Sequence, residues 1–387
     1  MKAVVLAAGT GRRLWPLTEN RPKPMIPAVN RPILEHVLEA LEAAGVDEVL
    51  LVVGANRQRV QSYFGNGREW AFEVSYVVQE RQLGTGHALL QAEAVIGESF
   101  LALNGDRIID PELIERVRDR HRETNEPVVS VTRVPEPSRY GVVDLDGTEL
   151  RAIDEKPPPD RTTSEFINAG VYGFAPDVFA AIRNTETRGE RALTDTLSEL
   201  LADRRLQAVT YRGTWLDVSE PWDLLDMNDS LIAAGDSGRA GSATVDPTAA
   251  VAEATVVGDD VVIHPQAAVL RGVTLGDNVS VGPGAVVENA VLLSDVTLRA
   301  GAVVTDCIVG ANTTVGPNTT VKGGATDVLL EDRVYHGVTF GGLLGDNVEI
   351  GANVAVQPGT VVGNGATVGD GTHVSGRIDD GAAIRRG

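Results

Sequence analysis

Aliphatic residues recur at every sixth position through the C-terminal part of this chain. The first series holds Val245, Val251, Val257, Ile263, Val269, Leu275, Val281, Val287 and Leu293, the second Val309, Val315 and Val321, and the third Leu344, Ile350, Val356, Val362, Val368 and Val374. A six-residue period is typical of a parallel β-helix, in which stacked short strands each point one aliphatic side chain into a continuous core. We therefore predict a β-helix over residues 243–380. The stretch from Ala325 to Gly342 breaks the period, and we expect it to leave the coil as a loop.

Residues 1–235 have a different pattern, in which apolar strands alternate with amphipathic helices. The predicted strands are Ala3–Ala8, Glu48–Val53, Glu73–Gln79, Phe100–Asn104 and Val128–Val134, and the predicted helices are Ile33–Ala44, Arg57–Phe64, Gly86–Val95 and Pro111–Glu123. This alternation predicts an α/β domain with a Rossmann-like, mainly parallel sheet. In such sheets ligands bind beyond the carboxyl ends of the strands.

Length and composition narrow the class of protein further. A chain of 387 residues is longer than one typical core, so two domains are expected. The net charge of −20 argues against a nucleic-acid or anionic-membrane partner. The single cysteine, Cys307, excludes an intrachain disulfide. No apolar run is long enough to span a membrane and no signal-peptide pattern opens the chain, so we expect a cytoplasmic protein.

Lysine is nearly absent from this chain. Of 34 basic residues, the only lysines are Lys2, Lys23, Lys156 and Lys322. High acidity with few lysines indicates either adaptation to strong salt, where surface repulsion is screened, or a nucleotide composition that favours arginine codons. Lys23 and Lys156 lie within motifs where a compact ammonium group could meet phosphate.

A glycine turn follows the first strand and is itself followed by fixed cations. Gly9 and Gly11 allow backbone N–H groups to approach an anion closely, and Arg12, Arg13 and Lys23 supply positive charge. The turn lacks the Gly-Lys-Ser/Thr of a P-loop and the third glycine of a dinucleotide fingerprint. This pattern suits a polyphosphate, although a glycine turn alone also occurs between ordinary strands and helices.

Several further motifs give the chain a family resemblance. They are Leu6-Ala-Ala-Gly-Thr-Gly-Arg-Arg-Leu14, Gln79 with Leu83-Gly-Thr-Gly-His87, Leu103-Asn-Gly-Asp106, Tyr140-Gly141, Glu155-Lys156-Pro157, Asn168-Ala-Gly170 and Trp215-Leu-Asp217. With these motifs the chain resembles the sugar-1-phosphate nucleotidylyltransferases. It is most similar to two-domain members that join a uridylyl- or thymidylyltransferase domain to a left-handed hexapeptide β-helix. Some of these also acetylate glucosamine-1-phosphate.

The resemblance implies a nucleotide side and a sugar side of one active site. On the nucleotide side it implies catalytic roles for Arg13 and Lys23, and nucleotide binding by Leu6, Ala8, Gly9, Gly11, Gln79, Gly84 and Thr85. On the sugar side it implies binding of the sugar phosphate by Gly141, Glu155, Lys156 and Asn168. Asp106 and Asp217 would hold Mg²⁺, which prefers oxygen ligands.

The implied reaction transfers UMP or dTMP from UTP or dTTP to a sugar-1-phosphate and releases pyrophosphate. A glutamine at position 79 can both donate to and accept from a uracil or thymine edge. The choice between UTP and dTTP, and between glucose-1-phosphate and N-acetylglucosamine-1-phosphate, stays open at this point.

Two alternatives remain. The first is a bifunctional enzyme whose β-helix also acetylates glucosamine-1-phosphate with acetyl-CoA. The corresponding coil, Leu298–Asp306, has neither the histidine nor the tyrosine of those relatives, and His336 in the interrupting stretch is the candidate substitute. We therefore expect the β-helix to serve assembly, as a homo-oligomer such as a trimer. The second alternative is a non-catalytic regulatory subunit, against which the retained Arg13, Lys23, Asp106 and Asp217 argue.

Overall fold

The computed structural model describes residues 1–54, 56–162, 164–186, 189–331 and 333–385. It divides into two compact units. The first unit holds Met1–Thr10, Arg21–Met25 and Ile33–Asp217, and the second holds Gly11–Asn20, Ile26–Pro32 and Val218–Gly387. This division falls earlier in the chain than the expected bounds of 1–235 and 243–380, and it assigns two short N-terminal segments to the second unit. The sequence-based domain bounds therefore stay a prediction.

The N-terminal part of the chain carries most of the regular structure outside the coils. Its strands are β1 (Lys2–Ala7), β2 (Pro27–Ala28), β3 (Arg31–Pro32), β4 (Glu48–Val53), β5 (Glu73–Val78), β6 (Phe100–Asn104), β7 (Arg107–Ile109), β8 (Val128–Arg133), β9 (Gly141–Asp146), β10 (Glu149–Glu155), β11 (Phe166–Phe174), β12 (Gln207–Thr210) and β13 (Trp215–Asp217). The helices are α1 (Leu17–Asn20), α2 (Ile33–Ala43), α3 (Arg57–Phe64), α4 (Thr85–Leu90), α5 (Pro111–Thr124), α6 (Val178–Asn184), α7 (Leu193–Leu200) and α8 (Pro221–Ala234). In the described part of the chain, none of these helices has the length and apolar character needed to cross a membrane.

The first unit is built on a nine-stranded sheet with the order β5-β4-β1-β6-β11-β8-β12-β10-β9. Strands β5, β4, β1 and β6 are parallel, as the α/β pattern predicts. Strand β11 then runs antiparallel to both β6 and β8, and β10 runs antiparallel to β12 and β9, so the far half of the sheet is mixed. The α/β class with a parallel-sheet domain is confirmed, and the mixed half is the part that the sequence pattern did not reveal.

Both faces of this sheet are covered by helices, which explains the unbroken apolar run in β1. Alternate residues of a strand point to opposite faces. Val5 packs with residues of α2, α3 and α5, whereas Val4 and Leu6 pack with residues of α4, α6 and α7. Burying one such side chain fully contributes about 1.5–3 kcal/mol. Each position of β1 is therefore constrained, and the strand ends are held firmly.

Three predicted elements have the observed bounds, five differ by one residue at one or both ends, and one helix is much shorter than predicted. Strands β4 and β6 and helix α3 begin and end where the sequence pattern placed them. The helix expected over Gly86–Val95 ends at Leu90 as α4. Beyond it the backbone N–H groups of Glu93 and Val95 donate to the carbonyls three residues earlier, so the chain continues as turns.

The second unit contains a column of short parallel strands and one antiparallel pair, β27 and β28. They are β14 (Gly238–Arg239), β15 (Thr244–Val245), β16 (Ala250–Val251), β17 (Thr255–Val257), β18 (Val262–Ile263), β19 (Ala268–Val269), β20 (Val273–Leu275), β21 (Ser280–Val281), β22 (Val286–Leu292), β23 (Thr297–Leu298), β24 (Val303–Val309), β25 (Thr314–Val315), β26 (Thr320–Val321), β27 (Ala325–Leu330), β28 (Arg333–Thr339), β29 (Gly342–Leu344), β30 (Glu349–Ile350), β31 (Ala355–Val356), β32 (Thr360–Val362), β33 (Thr367–Val368), β34 (His373–Val374), β35 (Arg377–Ile378) and β36 (Ala383–Ile384).

These strands stack as the coils of a β-helix, which confirms the architecture predicted from the six-residue period. Strand β18 pairs with β21, so that Val262 lies beside Ser280 one 18-residue coil later. The aliphatic residues of the series fill a single buried core, with Val269, Leu275 and Val281 fully buried. Each coil is therefore held by backbone hydrogen bonds to its neighbours and by one shared apolar column.

The first series was wrong at its last member. The core residue that continues this series after Val287 is Leu292, which pairs with Leu275, whereas Leu293 is buried but lies outside the core cluster. The cause is a coil of 17 residues, since Val273 pairs with Ala290 and Asn289 takes a left-handed conformation with φ of 44°. Because this coil is one residue shorter than the usual 18, the inward-pointing position falls one residue earlier in the chain, at Leu292 and not at Leu293.

The interruption from Ala325 to Gly342 is a β-hairpin and not a loop. Strands β27 and β28 pair antiparallel, with Leu330 opposite Arg333 and Leu329 opposite Val334. The coil ladder resumes beyond the hairpin, where Ile308 pairs with Leu343. The sequence showed the break in period, but the antiparallel pairing within it has no six-residue signal.

Candidate active site

The carboxyl ends of β1 and β6 lie side by side, and they bring two predicted motifs together. Leu6 pairs with Asn104, and the backbone N–H of Gly105 donates to the Leu6 carbonyl oxygen over 2.9 Å. Asp106 follows immediately. Both motifs lie where ligands bind in sheets of this type.

A cluster of two carboxylates and two cations lies at this edge; we call Lys23, Asp106, Arg107 and Asp217 the Lys23 cluster. The Lys23 ammonium group donates a hydrogen bond to Asp106 Oδ2, and it lies 4.0 Å from Asp217 Oδ1. Asp217 is on β13, which pairs antiparallel with β7 so that Asp217 lies opposite Arg107. The strand pairing thus brings together residues that are more than a hundred positions apart in the chain.

The electrostatics of the Lys23 cluster keep its cations charged. Burial lowers the pKa of Lys23, but Asp106 and Asp217 raise it more, and the net result is a raised pKa. Burial likewise lowers the pKa of Arg107, and Asp217 and Asp106 outweigh that effect. The side chain of Asp217 is only 4% exposed, so its negative charge depends on these neighbours.

Arg107 is a site residue that the motif analysis missed. Its Nε lies 3.6 Å from Asp217 Oδ1, and its NH1 donates to the Asn168 carbonyl oxygen over 3.4 Å. The guanidinium lies 5.2 Å from the ring centre of Trp215, which itself packs edge-on against Tyr140. Its position directly after Asp106 in the chain was the available signal.

The sugar side of the predicted site is also assembled within the first unit. Gly141 pairs with Glu155 across β9 and β10. A Cβ added at Gly141 would lie 3.2 Å from Glu155 Oε2 and 3.6 Å from the Asn168 Cβ. Glu155 Oε2 accepts a hydrogen bond from Thr194 Oγ1 over 3.0 Å. Gly141, Glu155 and Asn168 therefore line one small region.

Asn168 is fixed in place by its own contacts. Its Nδ2 donates to the Tyr172 hydroxyl over 2.7 Å, and its Oδ1 accepts from the Gly170 N–H over 3.1 Å. Gly170 has φ of 85°, and a Cβ there would lie about 2.5 Å from Asn104 Nδ2. This close approach requires glycine and connects the sugar side with Asn104, the last residue of β6, two positions before Asp106.

Lys156 combines an unusual backbone with an accessible side chain. Its φ is 48°, in the left-handed region that non-glycine residues rarely occupy, and its N–H donates to the Tyr140 carbonyl oxygen over 3.0 Å. The side chain is 55% exposed, and Nζ lies 3.6 Å from Glu155 Oε1. A strained backbone at an exposed cation is a feature often found at binding sites.

The segment from Gln79 to His87, which we expect to bind the base, is held by hydrogen bonds within itself. Gln79 is 3% exposed, and its Nε2 donates to the Gly84 carbonyl oxygen over 3.2 Å and lies 2.9 Å from His87 Nδ1. Burial, followed by the charges of Arg191 and Arg81, lowers the pKa of His87. These hydrogen bonds hold the Gln79 amide in one orientation, so Gln79 stabilises this segment in addition to any contact with a base.

Gly84 and Thr85 pack against the backbone of Arg191 and Leu193, a contact that the sequence did not suggest. A Cβ at Gly84, where φ is 99°, would lie 2.6 Å from the Arg191 carbonyl carbon. Thr85 Oγ1 accepts a hydrogen bond from the Leu193 N–H over 2.9 Å. The glycine is thus required by the passage of the Arg191 backbone, whereas the family resemblance implied only that Gly84 binds the nucleotide.

Gln82 connects the base-reading segment to the first turn. Its Nε2 donates to the Ala8 carbonyl oxygen over 2.7 Å. Gly9 follows Ala8 and is exposed, and a Cβ there would meet no atom within 4 Å. The two segments of the predicted nucleotide side are therefore in contact. Gln82 was missed because a single polar residue between motifs has no pattern of its own.

Gly11 and Arg13 belong to the second unit. Gly11 has φ of 63° and its carbonyl oxygen accepts a hydrogen bond from Thr18 Oγ1 over 3.0 Å. Arg13 NH1 donates to Glu220 Oε1 over 2.5 Å. Their membership of the nucleotide site stays a prediction, and Glu220 is a partner that no motif indicated.

The donor set of the Lys23 cluster fits a divalent metal ion. Mg²⁺ is commonly bound by one or two carboxylates together with substrate phosphates and water. Asp106 and Asp217 supply two carboxylates on either side of one positive charge. Within the described ranges, no group of three or more His, Cys, Asp or Glu side chains is arranged to hold a metal by itself. A metal here would depend on substrate oxygens.

The coil Leu298–Asp306 corresponds to the acetylating coil of the bifunctional relatives, and in this chain its side chains contribute to the core. In Leu298–Asp306 the side chains of Leu298, Ala302 and Val304 belong to the buried core. His336 is exposed on the hairpin, where its Nδ1 lies 3.0 Å from Asp327 Oδ2. Nothing in these contacts singles out a general base.

Comparison with known proteins assigns both halves of the chain. Residues 2–233 match the nucleotidyl transferase family, and residues 239–357 match the GMPPB C-terminal domain. The bifunctional protein GlmU of Methanococcus maripaludis is 40% identical over 236 residues, which cover 60% of this chain and 54% of that protein. A glucose-1-phosphate thymidylyltransferase of Streptomyces griseus is 34% identical over 233 residues, covering 59% of this chain and 65% of that protein.

The same domain is similar to a solved structure. A UDP-glucose pyrophosphorylase complexed with UDP-glucose aligns with a TM-score of 0.56 and 25% identity, covering 60% of this chain and 98% of that one. In the curated relatives, by contrast, the matched region spans only about half of the protein, at 54% of the GlmU sequence.

Proposed function

Because the chain belongs to the nucleotidyl transferase family, we propose that it transfers UMP or dTMP from UTP or dTTP to a sugar-1-phosphate and releases pyrophosphate. The sugar phosphate is glucose-1-phosphate or N-acetylglucosamine-1-phosphate. The observation that supports this most strongly is the Lys23 cluster, where a buried lysine lies between two carboxylates at the carboxyl edge of the sheet.

In this proposal Lys23 and Arg13 stabilise the charge that develops as pyrophosphate departs. Fixed cations at such a position lower the barrier because they need no reorganisation during the reaction. The raised pKa of Lys23 supports this role, since the ammonium group stays charged at neutral pH. Leu6, Ala8, Gly9 and Gly11 contribute backbone groups to the triphosphate.

Asp106 and Asp217 hold the divalent metal ion that the family uses, which we propose to be Mg²⁺. A bound Mg²⁺ would polarise phosphoryl oxygens and offset their charge. Lys23 supplies positive charge between the two carboxylates. The two carboxylates are matched by the Lys23 ammonium group and the Arg107 guanidinium, so the Lys23 cluster is near neutral before substrate arrives.

Gly141, Glu155, Lys156 and Asn168 bind the sugar phosphate. Glu155 and Asn168 offer acceptors and donors to sugar hydroxyls, and the exposed Lys156 ammonium group binds the phosphate. Gln79, Gly84 and Thr85 form the base side. The tight internal contacts of Gln79 support a preorganised recognition surface.

The reaction needs no covalent enzyme intermediate. A phosphate oxygen of the sugar-1-phosphate attacks the α-phosphorus in line, a new P–O bond forms, and the bond between the α-phosphorus and the bridging oxygen breaks. The electron pair leaves with pyrophosphate. The attacking phosphate is already an anion near neutral pH, so positioning and charge neutralisation supply the catalysis.

A matrix of substrates tests the proposal. UTP, dTTP, GTP, CTP and ATP are each combined with glucose-1-phosphate, N-acetylglucosamine-1-phosphate and mannose-1-phosphate, and pyrophosphate release is measured with Mg²⁺ at low and molar salt. We expect release with UTP or dTTP, and the best pair identifies the substrates. No release in any combination would refute the proposal and favour a regulatory subunit.

The bifunctional alternative has a separate test. The core residues of Leu298–Asp306 and the exposed position of His336 support loss of the acetyl-transfer base. We expect no CoA release from acetyl-CoA with glucosamine-1-phosphate. Measurable release, abolished by His336→Ala, would establish a second activity.

We further propose that the β-helix assembles a homo-oligomer such as a trimer, in a cytoplasmic protein. Light scattering of the full chain would measure the mass, and a monomer across micromolar concentrations would contradict the assembly.

Activity that rises with salt would favour salt adaptation over codon bias as the reason for the acidic, lysine-poor composition.

A further inference from the structure

Glu220 is a fully buried carboxylate that joins three parts of the second unit. Its residue exposure is 0%, and it is the N-cap of α8, where it forms a capping box with Asp223. Its Oε1 accepts hydrogen bonds from Arg13 NH1 over 2.5 Å and from the Tyr335 hydroxyl over 2.9 Å. A buried charge of this kind is stable only when it is paired, so Arg13 is held where the carboxylate is.

Tyr335 is brought to Glu220 by the hairpin β27–β28. Its ring packs edge-on against Trp222 of α8 at 5.2 Å, and Trp222 in turn contacts Phe340 at the base of the hairpin at 5.8 Å. The aromatic contacts fix the ring, and the hydroxyl can therefore orient the carboxylate. Deleting the hydroxyl alone would leave these ring contacts in place.

The segment that carries Arg13 is held to the coils at further points. The guanidinium of Arg377 lies 3.8 Å from the ring centre of Trp15. Asn364 Nδ2 donates to the Pro16 carbonyl oxygen over 3.0 Å, and Asn20 Nδ2 donates to Asp346 Oδ2 over 3.1 Å. The segment therefore takes its shape from the coils of the second unit.

Arg13 is suited to act from this position. Its side chain is 36% exposed while one of its nitrogens is bound to Glu220. A guanidinium has five N–H donors, so an arginine anchored along one edge keeps others for a phosphate. Anchoring also reduces the conformational freedom that would be lost on binding.

We propose that Tyr335 and Glu220 are positioning residues that fix the orientation of the Arg13 guanidinium, so that loss of the Tyr335 hydroxyl lowers the rate of nucleotidyl transfer. This inference rests on the proposed function.

A double-mutant cycle on the full chain tests the inference. The kcat/KM for the nucleotide is measured for wild type, Tyr335→Phe, Arg13→Ala and the double variant. We expect Tyr335→Phe to lower kcat/KM about tenfold in the wild-type background, because a hydrogen bond to a charged group is lost. In the Arg13→Ala background we expect the same change to have less than about a twofold effect, since coupled residues are not additive.

Tyr63→Phe is the matched control. Tyr63 is exposed and its hydroxyl donates to Glu35 Oε2 over 2.5 Å, so this variant also removes a tyrosine–glutamate hydrogen bond. It should retain the wild-type rate. The KM for the sugar phosphate should change less than about twofold in Tyr335→Phe, because the effect is on the nucleotide side.

A second variant, Glu220→Gln, keeps the size of the side chain and removes the charge. We expect its rate loss to vanish in the Arg13→Ala background as well. Equal rates for Tyr335→Phe and wild type, or equal factors in both backgrounds, would overturn the inference. Absence of pyrophosphate release by wild type would instead overturn the proposed function on which it rests.

Discussion

The two cations of the predicted nucleotide motif are held in opposite ways. Lys23 is buried between two carboxylates of the first unit, Asp106 and Asp217. Arg13 is partly exposed and shares one buried carboxylate, Glu220, with the Tyr335 hydroxyl. The first arrangement keeps a charge in place within a compensated cluster, and the second holds a partly exposed guanidinium by one buried carboxylate. Two residues ten positions apart in one motif thus depend on unrelated neighbours.

The largest effect is expected for the lysine itself. Lys23→Ala should lower kcat/KM about 1,000-fold, because loss of one group that stabilises the transition state costs about 100- to 1,000-fold. Steady-state pyrophosphate release measures the change. Lys2→Ala is the control, since Lys2 pairs with Glu48 at 2.8 Å on the far end of β1. A Lys23→Ala enzyme with near-wild-type turnover would remove the basis for the comparison.

The carboxylates should show their role in the requirement for metal. Asp217→Asn is expected to raise the half-saturating Mg²⁺ concentration about 100-fold, because loss of a group that only hydrogen-bonds to a metal ligand already weakens metal sites about 10- to 100-fold. A Mg²⁺ titration of the rate measures it. Asp146→Asn, which removes an exposed partner of Arg151, should leave the titration unchanged. An unchanged midpoint in Asp217→Asn would mean that this carboxylate serves only to pair the cations.

Arg107 tests whether the Lys23 cluster is also structural. Breaking a buried ion pair typically costs 3–5 kcal/mol, and we expect about 2 kcal/mol for Arg107→Gln because Lys23 remains near Asp217. Urea unfolding of the variant measures the free energy. Arg151→Gln, at an exposed pair, should unfold like wild type. Unchanged stability in Arg107→Gln would show that Lys23 alone compensates both carboxylates.

The smallest effect concerns alkaline pH. The folded-state pKa of Lys23 is raised above its unfolded value, so its pairing stabilises the fold fully below that unfolded value, near 10.5. This stabilisation is lost as the pH rises through the raised folded pKa. Lys23→Met should therefore lose less stability than wild type between pH 10 and 12, by thermal unfolding. Parallel pH profiles would show that Asp106 and Asp217 do not stabilise the ammonium group.

Much of the framework could be predicted because its signals are local. Strand β4 is apolar on both faces, so Glu48–Val53 was recognisable without a partner. The six-residue period likewise repeats often enough to identify the coils. Asp106 was found because a carboxylate just beyond a buried strand is conspicuous in the sequence.

The remainder depends on contacts between distant segments. Glu220 lies 207 residues from Arg13 and 115 from Tyr335, and no spacing rule relates these positions. Arg107 gained its role from the pairing of two three-residue strands, which are too short for a clear pattern. The coil before Leu292 is shorter by a single residue at one corner, and a six-residue period does not predict where such a deletion occurs.

The hairpin β27–β28 is inserted at a point where the coil ladder continues across it. Because Ile308 pairs directly with Leu343, 35 residues on, the stack does not need the inserted residues to stay continuous. Evolution can therefore lengthen, shorten or replace this appendage while the solenoid below it remains intact. Under the role proposed for Tyr335, a change in this appendage alters the catalytic rate while the coil ladder stays paired.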